Sequence, residues 1–195
     1  MDALPISEAL PVVALAVALA ACAGFRAWLP LLLTGALSRA GWVELGESFQ
    51  FLGSNKALAL FAISTVVEIV GDKIPAVDHA LDAIGTPLRP AVGALLAASV
   101  LGLVSDPLTS VVLGTAIGAP AAVVPHAAKS ALRAASTAFT GGLANPVLSF
   151  MEDAATLLLF VLAILVPFLV IALLGVMVYL IARRLARSRS TVAAA

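Results

Sequence analysis

Four long apolar runs, Pro11–Ala23, Ala57–Val70, Ala91–Val104 and Ala154–Ala182, constrain this chain more than any other feature. An apolar helix of about 20 residues crosses roughly 30 Å of hydrocarbon, with its backbone hydrogen bonds satisfied internally. Soluble domains carry charge on about a quarter of their residues. Here only 11% are charged and 62% are hydrophobic, over 195 residues with mean hydropathy +1.13. The sequence therefore predicts an all-α integral membrane protein, a polytopic bundle of about six spans forming one transmembrane domain over 1–195. The formal net charge of zero offers no basic surface for nucleic acid. One cysteine leaves neither a disulfide framework nor a zinc site.

Breaks between the runs set the expected elements. A first helix covers about 8–24 and stops at Gly24; Arg26 beside Trp28 reads as an interface anchor. Residues 31–38 continue as a short or re-entrant helix, and 39–55, with Arg39, Glu44, Glu47 and Asn55, read as an exposed loop. Further spans are expected at 56–71, 88–105 and 108–119, the last stopped by Gly118-Ala119-Pro120, then a helix at 121–138. A fifth span follows Asn145-Pro146, and a sixth runs from Pro167 to Arg183, so that Ala154–Ala182 crosses twice. Leu19-Ala20-Ala21-Cys22 has the form of a lipoprotein cleavage box. The preceding residues lack the positive charges of an export signal. Cys22 is expected to be a small buried residue of the first helix.

The chain also resembles itself. "PLLLTGALSRA" from Pro30 matches "PHAAKSALRAA" from Pro125, Thr65 and Glu68 match Ser149 and Glu152, and "RPAVGALLAASVLGLV" matches "VPFLVIALLGVMVYLI". Two half-repeats, 1–105 and 107–184, with three spans each, would lie in opposite orientation, as in a 3+3 inverted repeat with broken helices. The tail over 185–195 continues the basic run "RRLARSR" and is expected to be cytoplasmic by the positive-inside rule. Six spans would then put both termini on that side of a cell inner (plasma) membrane.

The scarce charge is concentrated. "GDKIPAVDHALDAIGTPLRP" holds Asp72, Lys73, Asp78, His79, Asp82 and Arg89. From Pro75, a favoured first helical position, Val77, Ala80, Leu81 and Ile84 form one apolar face. This predicts a short amphipathic helix ended by Gly85-Thr86-Pro87, with Asp78 and Asp82 on its wet face. Ser64, Glu68 and Asp72 fall on one face of the preceding span, matched by Asn145, Ser149 and Glu152 with Asp153 beside it. His126, Lys129 and Arg133 share another helix face. Like charges at that spacing repel, so either acids or a bound anion must sit against them. The candidate binding residues are Lys129, Arg133, Glu68, Glu152, Asp153, Asp72 and Lys73, with Arg133 expected to meet Glu152 or Asp153.

At these residues the sequence resembles a family of bacterial membrane proteins of unknown function, the domain of unknown function family 4126 (DUF4126). The resemblance rests on "AGFRAWLPLLL", "GDKIPAVDHALDAIGTPLRPAVGALLA", "HAAKSALRAAS" and "NPVLSFMED". It implies a polytopic membrane domain and brings no activity.

No zinc-protease, phosphate-loop or nucleophile-elbow motif occurs. Val70-Gly71-Asp72 has no second aspartate motif to pair with, so no enzyme, cofactor or metal is expected. Two functions remain. One is a small transporter or lipid-headgroup translocase, with Lys129 and Arg133 taking the anionic group of a solute or headgroup and Glu68 and Glu152 coupling protons. The other is a membrane scaffold whose charges only fix helix packing, where abundant Ala, Gly and Ser would also suit a homodimer.

Overall fold

The computed structural model describes residues 6–193 and contains, among them, eight α-helices and no strand. These are α1 (Ile6–Phe25), α2 (Trp28–Arg39), α3 (Asn55–Gly71), α4 (Pro75–Leu101), α5 (Pro107–Leu113), α6 (Ala119–Thr140), α7 (Asn145–Leu165) and α8 (Pro167–Ala193). Local chemistry sets several ends. The Ser54 side chain accepts from Ala57 N at the start of α3, and the Asp106 carboxylate accepts from Leu108 N and Thr109 N before α5. α6 ends on Gly141 at φ 61°, a left-handed position that glycine takes without a Cβ clash. α7 and α8 are separate helices, divided at Val166 (φ −144°, ψ 65°) ahead of Pro167. The run Ala154–Ala182 therefore does form two helices.

Two expected breaks are absent. Gly85-Thr86-Pro87 does not end a helix; α4 runs unbroken through Pro87 and Pro90. Each proline removes one helical hydrogen bond, to the carbonyl of Ala83 or Thr86, and α4 continues past both. Gly118-Ala119-Pro120 does not stop a span either. α5 and α6 join through a π-helical turn, Gly114–Gly118, giving one helical segment over Pro107–Thr140. The glycines serve proximity rather than termination: a Cβ on Gly114 would lie 2.6 Å from Ala94 O, and one on Gly118 2.5 Å from Gly93 O.

The 39–55 stretch is not a wholly exposed loop. It contains a 3-10 turn, Glu47–Gly53, with Phe49 and Leu52 buried. Val43 and Leu45 are buried as well, and Gly46 N donates to Ser99 O at 2.8 Å.

α1 is the central helix. Its residues Ala16 to Ala23 are small or aliphatic and belong to the core. α4 and α6 press closely on it, since a Cβ on Gly24 would meet Ala122 O at 2.3 Å. Cys22 lies inside this helix, fully buried, with Sγ donating to Ala18 O at 3.3 Å.

Five segments are long and apolar enough to cross a membrane: Ser7–Phe25, Ala80–Leu101, Pro107–Thr140, Asn145–Leu165 and Pro167–Ala186. A sixth arises if the 3-10 turn and α3, bent by 57°, count together. α8 leaves most of its apolar surface outward, where a bilayer replaces a protein partner.

Neighbouring residues give the helix directions. Gly93 packs against Ala20, Gly118 and Ala122, while Gly24 packs against Ala122, Pro125 and His126, so α1 and α6 run the same way. α7 runs back along α6, with Asn145 at Thr137 and Glu152 at Arg133. α8 returns, and its residues Met177 to Arg184 lie beside Ala128 to Ala135 of α6. The start of α1 and the end of α8 therefore lie at opposite ends of the bundle. This corrects the expectation of both termini on one side: α2 carries the chain back to the end from which α1 came.

Candidate functional site

The charged residues singled out from the sequence gather in one buried cluster, and it is larger than the sequence suggested. α1 breaks after Phe25, and the break delivers Arg26, fully buried, into the bundle. Its Nη1 donates to Asp72 Oδ2, its Nη2 donates to Ser149 Oγ at 3.0 Å, and the same nitrogen lies 2.7 Å from Asp153 Oδ1. Arg26 is thus no interface anchor.

Glu68 also serves the break. Its carboxylate accepts from Ala27 N at 3.0 Å and Trp28 N at 3.2 Å, capping the start of α2. A negative group there meets both the unpaired N–H groups and the positive end of the helix dipole. Arg89 Nη2 stands 3.8 Å away.

The buried face of α3 is Phe61, Thr65, Glu68 and Gly71, with Asp72 following. Thr65 takes the place expected for Ser64. Asp72 is the hub: besides Arg26, its Oδ2 receives Arg133 Nη2 at 3.2 Å and Lys129 Nζ at 3.4 Å. The matching face of α7 is Asn145, Ser149, Glu152, Thr156 and Phe160.

Glu152 holds Arg133 in a two-pronged contact, Nε to Oε1 at 2.9 Å and Nη2 to Oε2 at 2.8 Å, and Lys129 Nζ lies 3.0 Å from Oε2. The fork of a guanidinium fits a carboxylate in this way. The expected approach of Arg133 to Glu152 is therefore present. The repulsion between Lys129 and Arg133 is answered by Asp72 and Glu152. Lys73 and Asp153 lie at the edge, joined at 3.2 Å, with Lys73 Nζ 4.4 Å from the Phe150 ring centre.

All seven residues singled out from the sequence enter this cluster. Sequence reasoning missed Arg26 and Arg89 and placed Asp82 on a solvated face. Arg89 is buried beside Gly85, where a Cβ would stand 3.0 Å from its guanidinium carbon. A cation flanked by apolar turns on both sides was the available signal. Asp82 Oδ1 reaches Arg89 Nη1 at 3.4 Å and Lys129 Nζ at 3.8 Å, and its Oδ2 reaches Arg133 Nη1 at 3.9 Å. His126 Nδ1 lies 2.7 Å from Arg89 Nη1. A guanidinium only donates, so Nδ1 accepts, and the ring proton is left on Nε2, 3.4 Å from Thr86 Oγ. The side chains of Asp78 and His79 lie outside those described.

Among the described side chains, Arg26, Lys73, Arg89, Lys129 and Arg133 face Glu68, Asp72, Asp82, Glu152 and Asp153, five cations against five acids. A cleft of about 450 Å³ opens onto this cluster between α4, α6 and α7, lined by Asp82, Ser130, Arg133, Thr137 and Asn145 and by Ala134 and Ala138.

A bundle of apolar helices closed around buried ion pairs defines a multi-pass membrane protein. The model of the domain of unknown function DUF4126 matches residues 13–187, and the chain belongs to that family. Neither a curated protein nor a solved structure matches it.

Proposed function

We propose that the protein is a small membrane carrier whose ion-pair cluster receives the anionic group of a solute or lipid headgroup. The observation that carries this reading is the cleft between α4, α6 and α7. It is lined by Arg133 and by Asp82, which in turn faces Lys129 and Arg89. A cleft reaching buried charge is the usual route of an ion or polar group into a membrane protein. The cluster end faces the cytoplasm of a cell inner (plasma) membrane, because the basic tail begins there at Arg183. Opposed half-repeats fit in part. α2 and α6, α3 and α7, and α4 and α8 each run in opposite senses relative to the cluster, while α1 and α5 run in the same sense. Glu152 holds Arg133 and Lys129 in place, and Glu68 is committed to capping α2.

The five cations and five acids among the described side chains favour a second reading. A neutral, mutually paired set also suits a scaffold, whose charges fix helix packing for assembly with a partner or a second copy.

Flux separates the two. Proteoliposomes would be assayed for efflux of radiolabelled inorganic phosphate and, in parallel, for inward movement of a fluorescent phosphatidic acid analogue. A carrier moves one of the probes faster than empty vesicles, and Lys129→Gln, verified as monodisperse, slows it at least about tenfold, equivalent to one lost charge contact. Movement of neither probe above empty vesicles would overturn the carrier and leave the scaffold.

A further inference from the structure

The five acids of the cluster are not held alike. Asp72, Glu152 and Asp153 each have a cation within 3.2 Å, and Glu68 accepts two backbone N–H groups at 3.0 and 3.2 Å. Asp82 meets three cations, and the separations are 3.4, 3.8 and 3.9 Å. It is also the least buried of the five, with its side chain 24% exposed where that of Asp72 is 0% exposed. It lines the cleft, and the α4 turns that carry it are open: Ala80, Ala83, Ile84, Thr86 and Pro87 are all exposed.

We infer that Arg89, Lys129 and Arg133 form a site for a phosphate-type anion, free or carried on a lipid headgroup, and that the Asp82 carboxylate occupies this site until the anion displaces it. This rests on the carrier reading and names its ligand class. Arg89 and Lys129 approach one oxygen of Asp82 and Arg133 the other, and two guanidiniums with an ammonium around one small volume match a tetrahedral oxyanion better than a planar carboxylate. Ser130 and Thr137 add hydroxyl donors along the cleft. The contacts of Arg133 and Lys129 to Glu152 stay in place when Asp82 leaves, so the site keeps its walls. Asp82 leaves for the mouth of the cleft and its water, and the incoming charge replaces the outgoing one.

Calorimetric titration of the full-length protein with inorganic phosphate, and separately with dihexanoyl phosphatidic acid, tests this. Asp82→Asn removes the competing charge at constant shape, so one of the two probes should bind about tenfold or more tightly than to the wild type. Asp82→Glu should return binding to the wild-type level. The probe that responds identifies the source of the phosphate group. In the wild type, the same probe should raise carbodiimide labelling of Asp82, mapped by mass spectrometry, a readout independent of whether the variant folds. If a probe binds but Asp82→Asn gains nothing, or Asp82 labelling is unchanged or falls, the displacement idea is wrong while the carrier stands. If neither probe binds the wild type or Asp82→Asn, the carrier reading itself fails.

Discussion

Arg133 shows what a single residue contributes here. It is buried, forked onto Glu152 and shared with Asp72. Removing one member of a buried pair strands the other charge and costs roughly 3–5 kcal/mol. Arg133→Ala should therefore lower the melting transition of the purified protein steeply, and Glu152→Ala should do the same. Combining them should cost less than the two single losses added together, because the double variant strands fewer charges. A strictly additive result would mean that the two side chains do not act as a pair. Arg26→Lys is the sharper test of geometry. Arg26 serves Asp72, Ser149 and Asp153 at once from a flat fork, and an ammonium cannot reach all three. The expected result is marked loss of folded yield despite retained charge.

At the scale of helices, the close crossings of α1, α4 and α6 depend on glycine. A Cβ on Gly93 would lie 2.6 Å from Ala122 Cβ and 2.7 Å from Gly118 O. One of the contacts is backbone, so the helices must move apart. Gly93→Ala should destabilise by roughly 1–3 kcal/mol, as overpacking does, and Gly175→Ala, with nothing near its Cβ position, serves as the control in the same melt. The cap of α5 carries a pH prediction. Hydrogen bonds from Thr109 and from the Leu108 backbone favour the charged Asp106 carboxylate and hold it below its ordinary value of 3.8. A folded value below the unfolded one means that the cap stabilises above the unfolded pKa and is lost as pH falls through the folded one. Titration of the Asp106 carboxyl by NMR should give a midpoint under 3.8; a midpoint at or above it would show that the cap does not form.

For the whole molecule, the parity of passes is the strongest claim. α1, α6 and α8 run in one sense, and the cluster lies towards their C-terminal ends. Single cysteines at Ser7 and Ser190, in a Cys22→Ala background, should be modified by a membrane-impermeant thiol reagent from opposite sides of the bilayer. Labelling of both from one side would contradict the helix directions. The cluster also accounts for where so polar a set can survive. Each charge would cost a few kcal/mol or more alone in hydrocarbon; enclosed by α1, α3, α4, α6 and α7, each described charge of the cluster is partnered.

Composition and apolar runs alone determined the class, a polytopic membrane bundle; the division of 154–182 into two helices followed from its match to the run after Arg89. Helical spacing also put Glu68 with Asp72 and Lys129 with Arg133, because residues three or four apart share a face whatever the rest of the chain does. What lay beyond reach was every relation between distant segments. Arg26 looked like an anchor because its neighbours Gly24 and Trp28 suit an interface; only the fold shows Asp72 and Asp153 waiting for it. Gly85-Thr86-Pro87 and Gly118-Ala119-Pro120 looked like stops because local propensity disfavours helix there. Packing outweighed that preference: Gly118 lets α4 approach at Gly93, and Gly85 leaves room for the Arg89 guanidinium. The side on which each terminus lies turned on whether α2 returns the chain or leaves it. Its 12 residues are too few for their composition to show a full crossing, so the tertiary structure alone decided it.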